Sequence, residues 1–116
     1  MLIGVDVGGT KMLGLAASVA SVSAINDGTP VDFLGEQRVP TPTAGDSLVE
    51  SLIALVRTLE SECGQKTTAL AVGIAGLIDR KGVVRYSPHL ADVVQFPLSE
   101  RLNDALASDK PVIVAN

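Results

Sequence analysis

Leu48, Val49, Leu52, Ile53, Leu55, Val56, Leu59 and Cys63 recur at helical spacing, and an unbroken apolar run, ALAVGIAG at 69–76, follows shortly after them. This pair of features restricts the fold more than any other. Ser47 followed by Glu50 reads as a capping box that opens the helix, and Gly64 closes it. A continuous apolar run bounded by polar residues reads as a central strand covered on both faces. Where a strand also precedes the helix, such a strand–helix–strand step favours parallel pairing through a right-handed crossover.

Strands do precede it. Residues 2–7, LIGVDV, form a short β-branched run, and GGTK reverses the chain into a second expected strand at 12–24. NDGTP at 26–30 is dense in turn residues, and a third strand is expected at 31–39. After the central strand, 77–87 reads as a hairpin around Asp79–Gly82. A shorter helix follows at 97–107, with Pro97 near its start and Leu98, Leu102, Ala105 and Leu106 on one face. PVIVA at 111–115 closes the pattern as a last buried strand. The expected architecture is α/β, a ribonuclease-H-like mixed sheet of about five strands. A three-strand antiparallel meander lies at one side, parallel strands complete the sheet, and helices flank it. At 116 residues this is one domain.

Aromatic residues make up only 3 % of the chain, so the core is built from Val, Leu, Ile and Ala. The net charge of −4 gives no electrostatic reason to expect nucleic acid or an anionic membrane as partner. Any anionic ligand needs a local device rather than a global field. The single cysteine, Cys63, excludes an intramolecular disulfide or a cysteine metal cluster within this chain, and its helical spacing fits core packing. Residues 11–24 imitate a signal peptide, but Asp6 and the glycines stand where a basic region belongs, so a cytoplasmic location is expected.

That local device is visible in GVDVGGTK, residues 4–11. A turn of Gly8, Gly9, Thr10 and Lys11 can aim several backbone N–H groups into one concavity, since glycine permits φ > 0 and close approach by an anion. Thr10 adds a hydroxyl, and Lys11 adds a cation or simply flanks the turn. Asp6 at the strand end suits a magnesium anchor, because Mg²⁺ is usually held by one or two carboxylates together with substrate phosphates. A plain hairpin in which Asp6 caps the turn is the competing reading. Against it, a buried strand tip is a poor place for an unpaired carboxylate. The P-loop and dinucleotide glycine patterns are absent.

GVDVGGTKM resembles the first phosphate motif of the actin, heat-shock-chaperone and sugar-kinase superfamily. Within it the match is to the ROK family (repressors, open reading frames and kinases), bacterial glucokinases above all. The resemblance covers nearly the whole chain. AVGIAGLIDRKGVVRYSPHLADVVQFPLSERL is similar to the family segment in which a Gly-x-x-Gly strand end and a hairpin precede a Pro-Asn-Leu element. PVIVAN resembles the strand that delivers Asn-Asp-Ala.

The resemblance implies ATP-dependent phosphorylation of a hexose, glucose foremost, with ATP and Mg²⁺ as cofactors. Asp6 would assist Mg²⁺ through water, while Gly8, Gly9, Thr10 and Lys11 line the ATP phosphate site. Gly76 would approach the sugar, and Asn116 would hydrogen-bond its hydroxyls. The family's catalytic base is the aspartate directly after that asparagine, so this chain is expected to be the first lobe of a two-lobe kinase, inactive alone. His89 stands where glucokinases usually show asparagine; it either touches sugar or simply faces solvent. Ala75 replaces a common proline, and a tryptophan often found after the SPHL stretch is missing, departures that bear on which hexose binds. Family repressors carry a DNA-binding helix-turn-helix ahead of the first strand; with the first strand expected from Leu2, a kinase is expected rather than such a repressor. The alternatives are a sugar-binding regulator and an N-acetylhexosamine kinase. A homo-oligomer, with no nucleic-acid or membrane partner, is expected of the full-length protein.

Overall fold

The computed structural model describes residues 1–106 and 110–116. Its main sheet has the order β3-β2-β1-β4-β7, comprising β1 (Leu2–Val7), β2 (Lys11–Ala17), β3 (Phe33–Pro40), β4 (Ala69–Ile74) and β7 (Val112–Ala115). β1, β2 and β3 form the antiparallel meander, while β4 and β7 run parallel to β1. A two-stranded hairpin of β5 (Leu77–Ile78) and β6 (Val84–Tyr86) stands beside it. The expected mixed five-stranded sheet is therefore present.

The period-2 pattern of β1 sends Ile3, Val5 and Val7 inward and leaves Gly4 and Asp6 exposed. Onto the inward face packs α2 (Gly45–Cys63), whose Leu48, Leu52, Leu55 and Leu59 follow the 3.6-residue period and are almost wholly buried. Each such leucine contributes about 2 kcal/mol of apolar burial. Gly14 on β2 faces Leu55 so closely that a Cβ there would overlap the leucine's Cδ2. α3 (Leu98–Leu106) adds Leu98 and Leu102 to the same core, against α2 and β7. Cys63 is half-buried and packs against Gly35, as expected of a core thiol.

Several expectations need correction. The strand expected at 12–24 stops at Ala17, after a register shift at Ala16/Ala17, and α1 (Val19–Ser23) takes over. Ser18 is the reason: its Oγ accepts the Ser21 N–H at 3.2 Å and caps the helix, offering the backbone an alternative to the sheet. The Ser47–Glu50 capping box does not form. α2 starts earlier, at Gly45 with Ala44 as N-cap and no side-chain cap, and Gly45 is buried against the Phe96 ring. Gly64 does close the helix in the left-handed conformation.

β4 is not covered on both faces, because α2 and α3 lie on the same side of the sheet; Ala71 is exposed on the other. That second face carries a shallow apolar trough lined by Leu2, Gly4, Leu13, Leu15, Val22 and Phe33. β7 is likewise an edge strand rather than a buried one, with Val114 inside and Ile113 62 % exposed. Ala105 points to solvent, not to the core, and the expected helix end at Ala107 lies outside the described residues. Among the described residues no helix is long and apolar enough to cross a membrane.

Candidate functional site

Because β1, β4 and β7 are parallel, their carboxyl ends share one edge of the sheet, the edge at which open α/β sheets bind ligands. The β1–β2 turn, the β4–β5 connection and the end of β7 all emerge there. Asp6, Gly8–Lys11, Gly76, His89 and Asn116 are thereby collected from distant parts of the sequence.

The Gly8–Lys11 turn is closed by the Gly8 N–H donating to the Lys11 carbonyl at 3.0 Å. A Cβ on Gly8 would lie 2.8 Å from that carbonyl oxygen. A Cβ on Gly9 would lie 3.2 Å from both Cβ and Cγ of His89. Neither glycine adopts positive φ, so the expected left-handed turn is not what selects them. Close packing selects them instead, against the turn's own carbonyl for Gly8 and against an imidazole for Gly9.

Asp6 stands on the uncovered face of β1, level with Leu13 on β2 and Gly73 on β4. It is exposed, which removes the argument from a buried strand tip. Its carboxylate makes no hydrogen bond or ion pair with another described residue, and Gly73 leaves the adjoining position without a side chain. An unpartnered acceptor next to an amide-bearing turn fits a hydrated divalent cation.

Gly76 sits past the end of β4 with φ +144, and any Cβ there would collide with the Tyr86 carbonyl oxygen. The hairpin backbone thus demands glycine whether or not a ligand is nearby. Asn116 Nδ2 donates to the Gly76 carbonyl at 2.7 Å. Ser87, 2 % exposed, donates its hydroxyl to the Ala75 carbonyl at 2.7 Å. β4, the hairpin and β7 are therefore tied at one point. The hairpin's own turn is set by Asp79, whose Oδ1 accepts the Lys81 and Val83 N–H groups, each at 2.9 Å. The Val83 bond above all, with Lys81 and Arg85 in support, holds the Asp79 carboxyl below its ordinary value despite partial burial.

His89 is exposed, in the loop between Ser87 and Leu90, and lies against Gly9. It thus adjoins the glycine turn, whereas Gly76 and Asn116 form the neighbouring cluster. Two participants escaped the sequence. Ser87 is one, and Thr41 is the other: its hydroxyl donates to the Gly8 carbonyl at 2.8 Å and its N–H to the Thr10 carbonyl at 2.9 Å. Only the Pro-Thr-Pro context of Thr41 hinted at a rigid, fixed backbone.

A mixed five-stranded sheet with an antiparallel meander, a glycine hairpin at its carboxyl edge and a bare acid beside it is the fold shared with the N-terminal part of ROK proteins. The ROK family model matches residues 2–116, and the chain belongs to the ROK family. It is 31 % identical over 117 residues to a glucokinase of Streptomyces coelicolor, covering 100 % of this chain and 32 % of that protein. Its fold matches the ROK family glucokinase of Streptomyces griseus in complex with glucose and AMPPNP at TM-score 0.79. That match has 27 % identity and covers 99 % of this chain and 32 % of the other. The ROK hexokinase of Thermus thermophilus matches at TM-score 0.76 and 28 % identity, over 97 % of this chain and 34 % of the other. The chain spans about a third of the length of these relatives.

Proposed function

We propose that this chain is the first lobe of an ATP-dependent sugar kinase that acts on a hexose, glucose foremost. The observation that carries the reading is the Gly8–Lys11 turn, with Gly8 tight against the turn's own backbone and Gly9 against His89, and the unpartnered carboxylate of Asp6 beside it. An acidic protein can hold a polyphosphate only through such a local set of donors. The kinship with a glucose- and AMPPNP-bound glucokinase supports the same assignment.

In this reading the backbone amides of Gly9 and Thr10, the Thr10 hydroxyl and Lys11 hold the transferring phosphate and its neighbour. Phosphoryl transfer asks the protein mainly to position reactants and offset charge, and fixed amides do both without reorganising. Asp6 would hold Mg²⁺ through water, and the bound ion would neutralise phosphate charge. Gly76 and Asn116 frame the acceptor side: the Asn116 Nδ2 is engaged with Gly76, which turns its Oδ1 toward a sugar hydroxyl. His89, beside the glycine turn, contacts sugar from its loop. The general base that takes the hydroxyl proton, and a second lobe that closes over the sugar and excludes water, belong to sequence beyond this lobe. The full-length protein is cytoplasmic and a homo-oligomer.

The test is a coupled assay of the full-length protein. Glucose-dependent ADP release that is lost in Asp6→Asn supports the reading, as does the absence of turnover from residues 1–116 alone. A full-length protein that binds glucose without binding ATP is instead a sensor, and the kinase assignment fails.

A further inference from the structure

Thr41 lies just past the end of β3, 33 residues from Gly8, and contributes nothing to the core. It nevertheless bonds both flanks of the glycine turn, side chain to the Gly8 carbonyl and main chain to the Thr10 carbonyl. We infer that Thr41 is a positioning residue for the phosphate turn, a clasp that aims the Gly9 amide at the anion before it binds. The inference rests on the phosphate reading of that turn given above.

The argument is geometric. In a planar trans peptide the C=O and the following N–H point in opposite directions. With the Gly8 carbonyl drawn to Thr41 at 2.8 Å, the Gly9 N–H is turned away from Thr41. The second bond, from the Thr41 N–H to the Thr10 carbonyl at 2.9 Å, fixes the next peptide but one in the same way. The Gly9–Thr10 peptide between them is then held from both ends.

Such a clasp is needed here more than in most turns. Two consecutive glycines lose more backbone freedom on ordering than any other pair, and without a brace that loss falls on ligand binding. The brace must itself be stiff, and the sequence Pro40-Thr41-Pro42 supplies stiffness. Pro40 has a fixed φ, and Pro42 restricts Thr41 to extended backbone. Pro40 is tolerated because β3 is an edge strand, where its missing N–H costs no ladder bond. His89 also lies against Gly9.

Thr41→Val keeps the shape and the backbone N–H but removes the hydroxyl, Thr41→Ala checks that result with a smaller side chain, and Thr41→Ser restores the donor. In full-length protein, calorimetry with MgAMPPNP and steady-state kinetics with ATP and glucose separate the possibilities. Losing this one bond is expected to weaken nucleotide binding and raise the KM for ATP by about five- to tenfold in the Val and Ala variants. The glucose KM and the melting temperature should stay close to wild type, and Thr41→Ser should bind nucleotide within about twofold of wild type, since it retains the donor. Unchanged nucleotide affinity in Thr41→Val overturns the inference while leaving the kinase reading intact. So does a Ser variant as weak as Val, or an equal loss for glucose and ATP with a lowered melting temperature. Wild-type protein that binds no nucleotide overturns the phosphate reading itself, and the clasp with it.

Discussion

Asn116 and Gly76 are 40 residues apart in sequence and joined by a 2.7 Å hydrogen bond from the amide of one to the carbonyl of the other. That bond ties the last strand to the connection after β4 at the place where both approach the hairpin. Asn116 is exposed, so Asn116→Ala should cost about 1 kcal/mol of folding stability or less. Sugar affinity in the full-length protein should fall much further, by about tenfold or more, if the asparagine also meets a sugar hydroxyl. Parallel chemical denaturation and glucose titration check both. Equal, small effects would leave Asn116 a structural tie only.

Gly76→Ala should be far more damaging. The substitution strains a backbone at φ +144 and drives a methyl into the Tyr86 carbonyl, neither of which a flexible side chain can relieve. A loss of about 3 kcal/mol or more is expected, measured as a fall in the denaturation midpoint. Near-neutral behaviour would show that the hairpin is free to move away.

Gly9→Ala tests the other close approach. The added methyl would sit 3.2 Å from His89, a contact that an exposed loop side chain can relax. Folding should therefore change by only about 0.5 kcal/mol, while ATP affinity falls by about tenfold as the turn is pushed open. His89→Ala in the Gly9→Ala background should recover part of that loss, and a double-mutant cycle on the ATP KM reads the coupling. Gly4→Ala, where a Cβ meets nothing within 4 Å, is the control.

How far the sequence revealed this can be followed residue by residue. The α2 stripe and its Gly64 cap were readable because helical period and left-handed glycine are local signals. So was β1, and with it the glycine turn and its neighbouring acid. The strand drawn through Ser18 was not, because a serine cap and a small-residue strand share the same composition until the Ser18–Ser21 bond decides between them. The apolar run of β4 promised cover on both faces; only the packing of α2 and α3 on one side shows that half of that surface lies open. Thr41 and Ser87 were invisible for a different reason. Their meaning lies wholly in carbonyls that sequence distance hides, Gly8 for one and Ala75 for the other.

The hairpin offers a pH test. A carboxyl whose folded pKa is depressed stabilises the fold above its unfolded value, and that stability is lost as pH falls through the folded pKa. For Asp79, held down chiefly by the Val83 N–H, the melting temperature should fall as pH drops below the ordinary value of 3.8. Asp79→Asn should melt lower than wild type at neutral pH, and the gap should close in acid. A gap independent of pH would mean that shape rather than charge sets the turn.

Asp6 separates folding from function most cleanly. It is exposed on an uncovered face and bonds to no other described residue, so Asp6→Asn should leave folding stability within about 0.5 kcal/mol of wild type. If its carboxylate orders the water around Mg²⁺, removing the charge should cost turnover by about a hundredfold and raise the Mg²⁺ concentration needed for half-maximal rate. Nucleotide binding measured without Mg²⁺ should change little, because the amides proposed to hold phosphate are untouched. Titration of Mg²⁺ at fixed ATP in both proteins resolves the three effects. An Asp6→Asn protein with wild-type turnover and Mg²⁺ dependence would remove the acid from the site and leave the glycine turn to act alone.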